Sequence, residues 1–495
     1  IYTSTPTIVS NTEYTLSEKD LAGYEEGAWS CVDNNTENNV TNPFTLAEGQ
    51  SVTCTITNDD IAPSLQLVKV VNNNYGGEAK VTDWTLTATG PTTISGKGGV
   101  TSGNNFAAGT YTLSESGDVT GYDASSWSCT NGVTVDANNG ITLGVGKSTV
   151  CTITNSDVQP TLKLVKVVSN NHGGKKEVAD FNLYIGNIKV NSGVATDVNA
   201  NTQYVVREDQ LPGYTASDWS GDCSADGKIT LLPGENKTCY ITNSDIAPTL
   251  KLVKKVTNDN GGTLQPQDWT LTATGEEGFS DTGNSTVFHT VKAGVGYVLS
   301  ESDKAGYAPE GWTCDKGTLN GNTITLGLAE NATCTITNND IAPKLTLNKI
   351  VSNTHGGNKM ESNWTLYAKQ GEVTALSGVG AEGDNDVVSD STFQAGSYTL
   401  SEEGQSGYDA SAWSCTGTGS LNGNVITLGI GQEAVCSITN SDRPAGLTVI
   451  KKVVNDNGGT AIINDFGIKL NDNLIAFGEG VVEGTTTTYT STPTV

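Results

Sequence analysis

Apolar and polar residues alternate along this chain in short runs, and the runs recur. In "LQLVKVVNNNYGG", residues 65–77, Leu65, Leu67, Lys69 and Val71 share one strand phase, while Gln66, Val68 and Val70 share the other. A strand sends alternate side chains to opposite faces, so the lysine stands in the more apolar row. That row returns as Leu162, Leu164, Lys166, Val168; as Leu250, Leu252, Lys254, Val256; as Leu345, Leu347, Lys349, Val351; and as Leu447, Val449, Lys451, Val453. The same parity in "YTLSE" puts Tyr111, Leu113 and Glu115 on one face, and in "CTITN" it puts Cys151, Ile153 and Asn155 on one face. Glu18, Glu115, Glu208, Glu301 and Glu402 end the middle strand of successive repeats, and Asn58, Asn155, Asn243, Asn338 and Asn440 end the last. One Lys, one Glu and one Asn per repeat are predicted to share the core side.

The repeat itself is marked by Cys-x-Ile-Thr-Asn at Cys54, Cys151, Cys239, Cys334 and Cys436, with spacings of 97, 88, 95 and 102 residues. Thr-, Val-, Tyr- and Trp-rich runs are broken by Gly, Asn and Asp with no sustained helical period, which predicts an all-β fold of tandem sandwich domains. Short Asp- and Pro-bearing links, such as "NDDIAPSL" and "NSDIAPTL", are too stiff for floppy spacers and imply a head-to-tail rod. The expected domains are 61–157, 158–245, 246–340 and 341–442, with 1–60 the C-terminal part of a split domain and 443–495 the N-terminal part. "YTSTPT" occurs at 2–7 and again at 489–494, and superposing the copies gives a longer period of 487 residues. Lys451 to Glu18 then spans 54 residues, against 53 from Lys349 to Glu402. Two arrangements are open: a window on a longer array of near-identical units, or separate subunits completing each other's half-domains.

Burying an unpaired ammonium or carboxylate costs several kcal/mol, so an inward Lys and Glu should pair or lose their charges. Desolvation drives the lysine pKa down and the glutamate pKa up. A neutral amine is a nucleophile, and a protonated carboxylic acid beside an Asn can polarise its amide and shuttle the proton that lets ammonia leave. The product would be a Lys–Asn isopeptide bond that clamps the first strand to the last. The other reading of the triad is a buried Lys–Glu ion pair hydrogen-bonded to Asn, with no covalent bond.

The order of these residues, with Lys in the first strand, Tyr-x-Leu-x-Glu followed by Gly-Tyr ("YTLSESGDVTGY") and Asn ending the last strand, resembles Cna B-type domains. Those are prealbumin-like (Ig-like) β-sandwiches of bacterial pilus shafts and surface adhesins. The resemblance implies bonds Lys69–Asn155, Lys166–Asn243, Lys254–Asn338 and Lys349–Asn440, with Glu115, Glu208, Glu301 and Glu402 as catalytic acids of self-crosslinking. Across the split domain it implies Lys451 with Asn58 of the next unit and Glu18 as the acid. The sequence departs from the family in two ways: the Pro usual before Gly-Tyr is present only as Pro212, and no sorting signal of the sortase type is visible.

Ten cysteines fall two per repeat, giving Cys31–Cys54, Cys129–Cys151, Cys223–Cys239, Cys314–Cys334 and Cys415–Cys436 as expected disulfides. With three His and no Cys-x-x-Cys, no metal site is expected, and disulfides place the chain in an oxidising, extracellular setting at the cell surface. Trp29, Trp127, Trp219, Trp312 and Trp413 precede the first Cys of each pair and read as lids over the disulfides, whereas Trp84, Trp269 and Trp364 read as core. His172 and His355 read as turn residues. Asp59, Asp60, Asp157, Asp245, Asp340 and Asp442 cluster at the links, where either calcium or Asx turns would account for them.

Lys+Arg total 27 against Asp+Glu 54, a formal net charge of −27, which argues against nucleic acid and anionic membrane as partners. No stretch approaches the roughly 18 apolar residues of a membrane helix. There is no signal peptide and no initiator methionine at Ile1, as expected of a mature or cropped chain. The sequence thus predicts a non-enzymatic structural protein, without cofactor, whose partners are copies of itself end to end. A filament or pilus is one form of this; the stalk of a large adhesin holding a distal binding domain is the other. No ligand is identified by the sequence.

Overall fold

A computed structural model describes residues 3, 6–117, 119–383 and 387–492. The repeated "YTSTPT" lies partly outside these residues. The chain divides into two compact units, Ile1–Ile246 and Ala247–Val495. Each contains two complete sandwiches plus a smaller terminal segment.

In the first complete sandwich, one sheet orders Gly99–Thr101, Ser64–Asn72, Ser148–Asp157 and Tyr122–Ala124, and the other orders Ile94–Lys97, Thr85–Thr89, Gly109–Ser116 and Gly140–Leu143. First and last strands run parallel, with Lys69 opposite Ile153 and Asn155 opposite Val71. A parallel pair cannot be closed by a hairpin, so the intervening chain must cross to the second sheet and return. That crossing builds the sandwich. Three further copies pair Thr161–Ser169 with Asn236–Asp245, Thr249–Thr257 with Asn331–Asp340 and Lys344–Ser352 with Glu433–Asp442, always parallel. Among the described residues the helical pieces are five short 3-10 turns, each started by a side chain three residues ahead, as when the Asp83 carboxylate accepts the Lys80 N–H at 2.7 Å.

Strand parity sorts the side chains as the pattern requires. Leu65, Leu67, Tyr111, Leu113, Ile141 and Cys151 meet in one cluster between the sheets, and equivalent clusters fill the other three sandwiches. All five disulfides are present, Cys31–Cys54, Cys129–Cys151, Cys223–Cys239, Cys314–Cys334 and Cys415–Cys436, and no described cysteine is free. Trp127 and Trp413 pack in the same clusters as Cys151 and Cys436, and Trp84, Trp269 and Trp364 are buried.

Within a unit the links are tied by backbone. The Val158 N–H donates to the Gly121 carbonyl at 2.9 Å, and the Val158 carbonyl accepts from Gly234 at 2.8 Å. Ile341 does the same with Gly306 and Gly431 at 2.8 and 2.7 Å. Gly121 holds φ +76°, and a Cβ there would stand 2.0 Å from the Pro233 carbonyl oxygen, so the close approach requires glycine.

Among the described residues the two terminal segments lack such cores. Residues 6–60 form small sheets of two or three strands, and among the described residues Ile450–Val454 pairs only with Thr486–Thr490. Leu447 is 47% exposed where its counterpart Leu65 is 0% exposed.

Candidate functional site

Each complete sandwich brings one lysine and one glutamate together from opposite sheets. Glu115 sits on the middle strand of the second sheet, opposite Leu86, and aims across the gap at the first strand of the other sheet. Lys69 Nζ lies 2.9 Å from Glu115, Lys166 3.1 Å from Glu208, Lys254 2.7 Å from Glu301 and Lys349 3.1 Å from Glu402. All four lysine side chains have no solvent exposure, whereas the glutamates range from 2% to 16% exposed. Burial pushes the Lys69, Lys166 and Lys254 amines below the ordinary lysine value, against the opposing pull of their glutamates.

The asparagine comes from the last strand, two residues beyond the one opposite the lysine, and so on the same face. Asn338 Nδ2 donates to Glu301 Oε1 at 2.8 Å, and Asn440 Nδ2 donates to Glu402 Oε1 at 2.7 Å. In the fourth sandwich the triangle closes: Lys349 Nζ donates to Asn440 Oδ1 at 2.6 Å. Elsewhere the amide is buried but incompletely satisfied. Asn155 Oδ1, Asn338 Oδ1 and both polar atoms of Asn243 have no hydrogen-bond partner. The Lys166–Glu208 pair is within ion-pair distance without hydrogen-bond alignment. An unmet buried amide costs about 1–3 kcal/mol, so these groups are held there by the fold rather than by their own bonding.

Two components were not read from the sequence. Each lysine lies over an aromatic ring, Lys69 over Trp84 at 4.6 Å, Lys166 over Phe181 at 4.6 Å, Lys254 over Trp269 and Lys349 over Trp364 at 4.8 Å. The aromatic before each "TLTA"-type strand was the available signal, but the ring is brought under the amine only by sheet stacking. The second is the aspartate two residues after each asparagine. Asp157 accepts the backbone N–H groups of Asn74, Tyr75 and Gly77 at 2.9, 2.7 and 2.9 Å, clasping the Gly-Gly turn. Asp245, Asp340 and Asp442 do the same in their sandwiches. His172 and His355 are indeed in that turn, with Nδ1 3.2 and 3.1 Å from the Asp245 and Asp442 carbonyls. These aspartates thus clasp a turn distant in the chain rather than forming local Asx turns. Among the described residues no group of three or more His, Cys, Asp or Glu could hold a metal ion.

The terminal residues are placed differently. Asn58 donates to Glu18 in the N-terminal segment, yet Asn58 is exposed. Lys451 lies over Phe466 at 4.2 Å and has no carboxylate at ion-pair distance among the described residues.

A model of the prealbumin-like fold domain matches residues 2–56, 60–153, 157–241, 245–336 and 340–438. The chain belongs to this family. Its prealbumin-like domains account for the parallel first and last strands and for the recurrence of one core in the four complete sandwiches. Among solved structures the chain is similar to the Bacillus anthracis TIE protein, at 15% identity and TM-score 0.35, covering 79% of this chain and 70% of that one. It is similar to two B repeat units of the collagen binding protein Cna of Staphylococcus aureus, at 14% identity and TM-score 0.18, covering 77% and 99%. A third is the major pilin from Streptococcus pyogenes, at 14% identity and TM-score 0.15, covering 56% and 99%. No curated protein sequence matches the chain.

Proposed function

We propose that this protein is a non-enzymatic structural element of an extracellular, cell-surface filament, built from prealbumin-like domains that crosslink themselves once. The observation that carries the reading is the buried Lys–Glu–Asn set, present in all four complete sandwiches and closed into a triangle at Lys349, Glu402 and Asn440. Lys349 Nζ attacks Asn440 Cγ, the new N–C bond replaces the amide C–N bond, and Glu402 relays protons from the amine to the departing nitrogen. Lys-NH3⁺ and the Asn carboxamide become a secondary amide and ammonium, so charge and atoms balance. Burial lowers the amine pKa of the equivalent Lys69, Lys166 and Lys254, which favours the neutral nucleophile this step needs.

The bond joins the two parallel strands that lead into and out of each domain. Tension along the chain enters through these strands, so the crosslink would carry the load before any sheet separates. Five disulfides close further loops and suit an oxidising exterior. Between copies the same triad would be shared, Lys451 of one with Asn58 and Glu18 of the next, whether the copies are separate subunits or successive stretches of one polypeptide.

Mass spectrometry of the purified chain tests the crosslink. A branched peptide joining Lys349 to Asn440, with loss of one ammonia, is expected. Tryptic peptides ending at an unmodified Lys349 would sink the covalent reading. Regular fibres under the electron microscope are expected of the filament, and their absence at all concentrations would favour an adhesin stalk.

A further inference from the structure

The Gly-Gly turn after the first strand holds a carboxylate in all four complete sandwiches, and the equivalent turn at Gly458–Gly459 holds none among the described residues. Asn455–Gly459 is built like the others: Asn455 Nδ2 donates to the Ala461 carbonyl at 3.1 Å, as Asn73 Nδ2 does to Ala79 at 3.1 Å. Gly458 has φ +88°, against +87° for Gly76. The N–H groups of Asp456, Asn457 and Gly459 therefore converge like those that clasp Asp157, yet no described group accepts from them. Next to the turn, the edge of Ile450–Val454 opposite Thr486–Thr490 is unpaired, where every complete sandwich adds its last strand in parallel.

The N-terminal segment carries the reciprocal feature. Among the described residues Asn58–Asp60 pairs only with Tyr24–Glu26, and Val52–Thr55 only with Ser30–Asp33, so each of these strands also keeps one open edge. Asp60 follows Asn58 as Asp157 follows Asn155, and it is exposed where Asp157, Asp245, Asp340 and Asp442 are buried. Tyr24 is 42% exposed, while its counterparts Tyr214 and Tyr307 donate to Asn170 and Asn258 at 2.6 Å from positions 5% and 8% exposed. Asn455 Oδ1 is the equivalent acceptor.

We infer that the Asn455–Gly459 turn is a carboxylate-binding nest whose ligand is Asp60 of a second copy of this chain, entering with its Val52–Thr55 and Asn58–Asp60 strands laid parallel against Ile450–Val454. Tyr24 of the same copy completes the clasp on Asn455. The inference rests on the between-copy joint proposed above and adds the polar contacts that set its register. A strand slipped by one residue would point Asp60 away from the nest and Asn58 away from Lys451, so the nest fixes the alignment that the crosslink needs. Successive backbone N–H groups of this kind are an established anion-binding geometry.

The test is concentration-dependent association of the full chain by analytical ultracentrifugation, with Asp60→Asn compared against Asp59→Asn. Both positions are exposed, so neither change threatens folding, and both remove one charge. Asp60→Asn is expected to weaken association by about tenfold to a hundredfold, the worth of a charge-assisted acceptor, and Asp59→Asn by less than about threefold. If the wild type associates and Asp60→Asn associates equally well, the nest is wrong while the joint stands. A wild type that stays monomeric overturns the joint and the nest with it. A monomer containing a Lys451–Asn58 branched peptide would show the chain closing on itself and overturn the second-copy occupant.

Discussion

Replacing Lys254 with methionine keeps an unbranched apolar stem beneath Trp269 and removes the amine, so packing changes little and the triad loses its nucleophile and its cation. If the triad is only ionic, Glu301 is left with the Asn338 amide at 2.8 Å as its partner and 10% exposure. Losing one partner of a buried pair costs about 3–5 kcal/mol. If the triad is covalent, the variant instead frees a loop of 84 residues between Lys254 and Asn338, worth about 4–5 kcal/mol in the unfolded chain. The two losses overlap, so calorimetry alone does not separate them; either lowers the melting of this domain by about 20 °C. What survives unfolding does separate them. Intact mass of the reduced, denatured wild type should fall short of the sequence mass by one ammonia per crosslink, and Lys254→Met should show one deficit fewer. A wild type at full sequence mass would refute the covalent argument. An unchanged number of deficits in the variant would remove Lys254 as the nucleophile.

An Asn338→Ala variant keeps Lys254 as a free amine whose pKa burial lowers from 10.5. The unfolded chain then binds more protons than the folded one between that lowered value and 10.5, so this variant should gain stability as pH rises through the window. The crosslinked wild type has no such amine and should lack the gain, which urea denaturation at stepped alkaline pH reads directly. Replacing Cys223 and Cys239 together with serine opens a loop of 16 residues and should cost about 3 kcal/mol, seen as an earlier unfolding step in guanidinium. Gly121→Ala forces a Cβ against the Pro233 carbonyl at a backbone angle that favours glycine. Hydrogen exchange at the Val158 amide, which donates to Gly121, should accelerate by about tenfold or more while the sandwich cores stay protected; unchanged exchange would show that the link does not depend on this contact.

Strand parity is a local property, so the sequence by itself determined that Lys69, Glu115 and Asn155 face inward, and that the pattern recurs at Lys166, Lys254 and Lys349. It determined the cysteine partners for the same reason: two per repeat, on neighbouring strands, leave few alternatives. Which inward groups meet is decided by how the sheets stack. The Glu115 carboxylate reaches Lys69 from the opposite sheet, and Trp84 slides beneath the amine, because a parallel first and last strand forces the chain between them onto a second layer. The aspartates at the links show the limit most clearly. Asp157 looked like part of a local turn or a cation cluster, but its partners are backbone amides about 80 residues earlier in the chain. No periodicity reports such a contact, since N–H groups carry no side-chain signature. Only the folded register, with Asn155 opposite Val71, places that carboxylate over the turn.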